Sequence, residues 1–221
     1  MGKVYYNLMR ILATVLLFLA GAVLASALSA QQQTSLRTAS LESHEGLTIT
    51  VQPLTDAAAY KEKFPKKSPF AAGIVAIQVA FRNDSDESVK IDIDRIRLNV
   101  TLSEDDRQGL QALSSEEVAN VVLNPRVKDP SRKTRFPLPI GRSNAGRDKH
   151  WVEMEEAARN AGVPGTVVAP HKTMQGLLYF DLQGQLDLLD SAHLYVPDLT
   201  ALEKNRALMF FDIDLSRQGS R

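Results

Sequence analysis

GIVAIQVAFRNDSDESVKIDIDRIRLNVTL, residues 73–102, decides the fold class. Val75, Ile77, Val79 and Phe81 fall on one side of an extended chain, and Ile74, Ala76, Gln78 and Ala80 on the other. Period-two patterning of this kind is the mark of a strand. The run ends in Asn83-Asp84-Ser85-Asp86-Glu87-Ser88, residues that favour turns because their short polar side chains bond to nearby backbone. The chain returns with Val89, Ile91 and Ile93 on odd positions, then shifts to Ile96, Leu98, Val100 and Leu102 on even ones. A one-residue slip turns every side chain to the wrong face. A bulge or a new strand is therefore expected near Asp94-Arg95, as where a strand crosses between the two sheets of a sandwich.

Working outward, Leu47–Val51 alternates as a strand that Pro53 should end. Thr55–Phe64 has room for one or two helical turns, with Tyr60 and Phe64 on one face. Strand rhythm resumes at Thr166–Val168, Gly176–Leu182, Ala192–Val196 and Leu208–Leu215. Between the two strand-rich halves lies 103–165. There Ser114 and Glu117 have the spacing of a capping box, ahead of a short helix that runs to Leu123 and is stopped by Pro125. Asp148 is placed to cap a second helix whose apolar side is Trp151, Met154, Ala158 and Ala161, with Gly162 and Pro164 as its stop. The expected architecture is mainly β: an antiparallel β-sandwich over 47–218 with a two-helix insertion at 103–165.

The chain has 221 residues, with 26 basic and 26 acidic side chains and no cysteine. That length suffices for one domain with a sizeable core. The absence of cysteine excludes disulfides, thiolate metal sites and cysteine nucleophiles. The charge balance gives no reason to expect nucleic acid as a partner. The first thirty residues differ in kind. Lys3 and Arg10 precede the apolar run Ile11–Leu28, which closes on Ala25-Ser26-Ala27 and Leu28-Ser29-Ala30. This is the layout of a secretory signal, cleaved after Ala27 or Ala30. The alternative is an uncleaved anchor with the domain outside, because the run reaches the lower limit for spanning a bilayer. Residues 31–46 are polar and aperiodic and read as a flexible leader.

Candidate chemistry is sparse. His44, His150, His171 and His193 are more than twenty residues apart and show no metal-ligand spacing. Gly141-Arg142-Ser143-Asn144-Ala145 resembles a nucleophile elbow, but the prolines at 137 and 139 spoil the strand such an elbow needs. The acidic groups Asp84, Asp86 and Glu87, and Glu104, Asp105 and Asp106, lack the length and glycine of a dedicated calcium loop. Asp92 and Asp94 share one strand face and should meet water. Asn83-Asp84-Ser85 and Asn99-Val100-Thr101 fit the glycosylation sequon and are read as chance matches. No cofactor, metal or catalytic residue is assigned.

One segment stands apart electrostatically. Arg126, Lys128, Arg132, Lys133, Arg135, Arg142, Arg147 and Lys149 face only Asp129 and Asp148 within 126–149. Such a segment suits an anionic lipid, a polyanionic glycan or an acidic protein; the alternative is a solvated loop. Phe136 is the one aromatic residue interleaved with these charges, too few for a base-stacking platform.

GIVAIQVAFRNDSDESVKIDIDRIRL is similar to the signature of small bacterial exported immunoglobulin-like domains of unknown function, in which an apolar strand ends in an Asn-x-Ser-type turn. VVAPHKTMQGLLYFDL, residues 167–182, resembles their later element, where a proline turn and a glycine lead into a phenylalanine-bearing strand. The resemblance covers about 47–102 and 166–215, and the basic helical segment 103–165 departs from it. It implies an immunoglobulin-like sandwich outside the cytoplasm and carries over no catalytic residue. The functional expectation is a non-enzymatic interaction module of the periplasm or cell envelope. Its partner would be an envelope protein or an anionic surface. A hydrolase with a site assembled by the fold around His150, Ser143 or the acidic loops is the competing class.

Overall fold

The computed structural model describes residues 39–103, 106–124 and 148–216. The apolar run at 11–28 and the leader up to residue 38 lie outside these, so the signal and its cleavage stay expectations. The described residues fall within one compact unit, Arg37–Arg221.

The protein is mainly β, with three antiparallel sheets and few helices. The first sheet has the order β1-β2-β3-β8, formed by Ser40–His44, Leu47–Leu54, Ile74–Asn83 and Thr173–Asp181. The second has the order β12-β9-β5-β6: Phe211–Asp214, His193–Val196, Arg97–Ser103 and Asp106–Gln111. A small third sheet joins the two-residue strands β11 (Arg206–Ala207), β10 (Thr200–Ala201), β4 (Val89–Lys90) and β7 (Val167–Val168).

The two larger sheets share one core. Leu47, Ile49 and Val51 of β2, Val75, Ile77, Val79 and Phe81 of β3, and Leu178 and Phe180 of β8 pack with Leu98, Val100, Leu194, Val196, Phe211 and Ile213 of the second sheet. Burial of each large side chain here is worth about 2 kcal/mol, which is what holds a cysteine-free chain together. A second core forms on the opposite face of the first sheet. Ile74, Ala76, Leu177 and Tyr179 pack there beneath the helices α1 (Ala57–Lys61), α2 (Ser115–Leu123) and α3 (Lys149–Ala161). One end of the first sheet is thus covered on both faces. This explains why β3 and β8 carry apolar residues at odd and even positions alike.

The parity shift after Ile93 has a physical cause. Ile93–Arg95 is a single 3-10 turn, with Arg95 N donating to Asp92 O and Ile96 N donating to Ile93 O. It delivers the chain from β4 in the third sheet to β5 in the second.

Three expectations need correction. Residues 40–44 of the supposed leader form strand β1, paired with β2 from Ser40↔Val51 to His44↔Leu47. The tight turn is Glu45-Gly46, with φ of 50° and 81°, as a two-residue hairpin requires. Residues 106–111 of the insertion form β6, paired with β5. Its only buried side chain is Leu110, so an exposed edge strand shows almost no apolar rhythm. Pro53 does not end β2, which runs on to Leu54; beyond Val51 the strand has no β1 neighbour, and a residue lacking an N–H is tolerated there.

The helical elements follow their local signals. Asp56 caps α1 by accepting from the Ala58 and Ala59 amides. Tyr60 and Phe64 are both buried, as their spacing implied. The Tyr60 hydroxyl donates to Leu54 O at 3.0 Å and accepts from Ala76 N at 2.7 Å. Burial holds its pKa above the ordinary phenol range. Tyr60→Phe leaves the buried Ala76 amide without this acceptor, and should lower unfolding stability by about 2 kcal/mol in a urea titration with little change in slope.

Candidate anion-docking face

Of the eight cations in the basic segment, Arg126, Lys128, Arg132, Lys133, Arg135, Arg142 and Arg147 lie outside the described residues. Lys149 is described, exposed, and is the first residue of α3. The segment's two attachment points are therefore fixed, at the end of α2 and the start of α3.

These helices form an antiparallel pair. Ser115 Oγ, at the start of α2, bonds Glu155 Oε1 at 2.8 Å; Trp151 Nε1 donates to Asn120 Oδ1 at 2.8 Å, near the other end. Both caps are as the sequence indicated. Glu117 N donates to Ser114 Oγ while Ser114 N donates to Glu117 Oε2, and Trp151 N donates to Asp148 Oδ1. Tyr179 Oη donates to Ala158 O at 2.9 Å and ties α3 to β8.

On the exposed side of α3, Glu153 is set among basic side chains. Lys66 Nζ lies 2.8 Å from Glu153 Oε2, and His150 Nδ1 lies 3.8 Å from the same oxygen. The Lys66 hydrogen bond, with the charges of Lys66, Lys149 and His150, holds this carboxyl below its usual pKa. Lys66 belongs to a short stretch with Lys61, Lys63 and Lys67, all exposed, and only Glu62 of opposite sign. Lys66 and Lys149, more than eighty residues apart in the chain, thus meet at one carboxylate. Sequence inspection missed this. Four lysines within 61–67 were in view, but nothing local says that they pack beside α3.

The remaining candidates are dispersed. The acidic loop is divided among separate basic side chains: Asp84 pairs with Arg82 at 3.0 Å, Asp86 with His171 at 2.9 Å, and Glu87 with Lys204 at 3.1 Å. His44 stacks on Phe211 with ring centroids 3.7 Å apart, and His193 lies 3.6 Å from Asp212. Among the described residues, no group of three or more His, Asp or Glu is placed to hold a metal. Asp92 and Asp94 do not share a strand face as expected: Asp94 lies in the 3-10 turn Ile93–Arg95 and is exposed, and Asp92 precedes that turn, half-exposed. Ser143, Glu104 and Asp105 lie outside the described residues.

Asn83 has a structural role. Its side chain is fully buried. Nδ2 donates to Glu87 O at 2.7 Å, Val168 O at 3.1 Å and Ala169 O at 3.2 Å, while Oδ1 accepts from Ser85 N and Ser85 Oγ. An amide so occupied is not presented for glycosylation. Asn99 sits within β5, opposite Gly109 and His193. Pro170-His171 forms the corner between β7 and β8: Lys172 N donates to Ala169 O at 3.2 Å, and His171 adopts φ of 52°.

No family model matches the chain, and no curated protein matches it. Among solved structures, it is similar to a functionally unknown protein from Listeria monocytogenes EGD-e. The two are 15% identical, the match covers 73% of each chain, and the TM-score is 0.33.

Proposed function

We propose that the protein is an exported, immunoglobulin-like sandwich that serves as a non-catalytic interaction module at the bacterial cell envelope. The observation that carries the fold reading is strand order. Taken along the chain, β2-β3-β8 facing β12-β9-β5-β6 corresponds to strands A-B-E facing G-F-C-C′ of an immunoglobulin-like Greek key. In that scheme the α2–α3 hairpin falls between C′ and E, and it packs on the outer face of the A-B-E sheet. The export reading rests on the positive residues, apolar run and small-residue sites before residue 31.

Cell fractionation with N-terminal sequencing tests this. The expected product is periplasmic and begins at Leu28 or Gln31, or is membrane-held with the domain protease-accessible from outside. A cytoplasmic chain that keeps its first residues overturns it. The interaction role is tested by cross-linking in intact cells at low salt: a chain recovered only as the free monomer counts against it.

A second reading is favoured by the Lys66–Glu153–Lys149 cluster. It makes the module a binder of anionic lipid or glycan through 126–149. Arg132→Glu, Lys133→Glu and Arg135→Glu together should then weaken binding to anionic vesicles, and unchanged binding removes this reading.

A further inference from the structure

We infer that His44 is a proton-sensitive latch, holding strand β1 against strand β12 more firmly when its imidazole is charged. The inference concerns the join between the two larger sheets and stands apart from the export and interaction readings.

The first support is where the ring sits. β1 and β12 belong to different sheets, and no backbone ladder joins them. Side chains do. Glu42 Oε2 accepts from Asp212 N at 3.2 Å. The His44 ring lies on that of Phe211, with centroids 3.7 Å apart and planes inclined by 18°. Phe211 is fully buried, so His44 roofs one edge of the shared core. Neither ring nitrogen is open to solvent, and neither reaches a hydrogen-bond partner among the described residues. A neutral imidazole held in this way leaves a donor and an acceptor unused, which is costly.

The second support is the set of charges around the ring. His44 Nε2 lies 3.7 Å from Glu42 Oε1. Glu45, the next residue, is a second carboxylate that couples to His44. Arg206 opposes it from β11, 2.8 Å from Glu45 and 3.8 Å from Glu87, and Lys204 lies 3.1 Å from Glu87. Asp212 stands on the far face of β12, where His193 lies 3.6 Å away. Among the described residues, Glu42 is the one carboxylate within ion-pair range of the His44 ring.

A proton on Nε2 turns the unused acceptor into a donor that faces Glu42. The charge also strengthens the stack on Phe211. Closure matters because Asp212 N fixes Glu42 through its other oxygen. With β1 lifted, both side chains swing in water, where such a pair is worth little. The closed join therefore binds the proton more tightly than the open one. By linkage it closes more firmly as pH falls through the range in which imidazoles charge.

Hydrogen exchange on the full chain tests this at the Asp212 and Met209 amides, which Glu42 and Glu45 cover. After correction for intrinsic rates, protection of both should rise about tenfold between about pH 7.5 and about pH 5.5. His44→Phe keeps a stacked ring without a titrating group and should abolish most of the rise. Glu42→Gln keeps an acceptor for Asp212 N without its charge, and should cut the rise to about threefold or less. His193→Phe removes the imidazole on the far face of β12 and should leave the rise in place. Urea midpoints at neutral pH check that each variant folds.

Wild-type protection that is flat, or that falls toward acid, overturns the proposal. So does a full rise in His44→Phe or in Glu42→Gln. A rise lost in His193→Phe but kept in His44→Phe moves the proton to the far face of the strand and overturns it too.

Discussion

Gly176→Ala should cost about 3 kcal/mol of unfolding stability, near the upper end of what overpacking does. An added Cβ at this point of β8 comes within 2.5 Å of the Gly162 carbonyl carbon and of Val163 Cα. Both neighbours are backbone, so neither rotates away. The contact is the seat of α3: Gly162 caps that helix by donating to Ala158 O and Arg159 O, and it bridges to Leu177. Relief requires lifting the helix end from the sheet, which also strains the Tyr179–Ala158 bond. Gly165→Ala is the control. Its nearest neighbour is Met174 Sδ at 4.0 Å, so the substitution should be neutral or slightly stabilising. Denaturation midpoints decide: a Gly176→Ala midpoint equal to that of Gly165→Ala sinks the argument.

Asn83→Ala should cost a similar amount, about 3 kcal/mol, for a different reason. It leaves three carbonyls, one in the 84–88 loop and two at the end of β7, without the donor they share at a buried side chain. Asn83→Asp separates hydrogen bonding from shape. The new carboxylate keeps the bonds from Ser85 but points its second oxygen at the carbonyls of Glu87, Val168 and Ala169. The charged form is disfavoured, so the folded-state pKa is raised above the unfolded value. A raised carboxyl means that the folded state binds more protons. The stability deficit should therefore be large at neutral pH and shrink as pH falls through the folded and then the unfolded pKa. Urea midpoints at neutral and acidic pH, relative to wild type, check the sign; a deficit independent of pH refutes it.

Much of the fold was legible because its signals are local. The β3 alternation, the Ser114–Glu117 box and the Asp148 cap each depend on residues within one or two turns of chain. The shift of parity after Ile93 was legible as well, since a strand cannot change its inward face without a break. β1 and β6 were missed because they are edges. An edge strand buries little, so Ser40–His44 and Asp106–Gln111 show polar sequences to a reader who looks for apolar rhythm. The proline turn noted within 167–182 is the Pro170-His171 corner, and the glycine after it, Gly176, meets Gly162. The Lys66–Glu153 pair was beyond local reading, because its proximity is created by the packing of Tyr60 and Phe64 under the helices. The role of Asn83 was hidden for a related reason: a turn residue looks the same whether its amide meets water or three carbonyls from elsewhere in the chain.

β1 has one more effect. Glu42 Oε2 accepts from Asp212 N and Glu45 Oε2 from Met209 N, while Arg206 clamps Glu45 Oε1 at 2.8 Å. Bonding to Met209, followed by Arg206, keeps the Glu45 carboxyl below its usual pKa. β12 is the outermost strand of its sheet, and an outermost strand offers free amides to any passing chain. Here Glu42 occupies the Asp212 amide of β12 and Glu45 the Met209 amide just before it, without supplying a ladder that a further strand could extend. The seam between the sheets therefore doubles as a guard against the addition of a further strand at that edge.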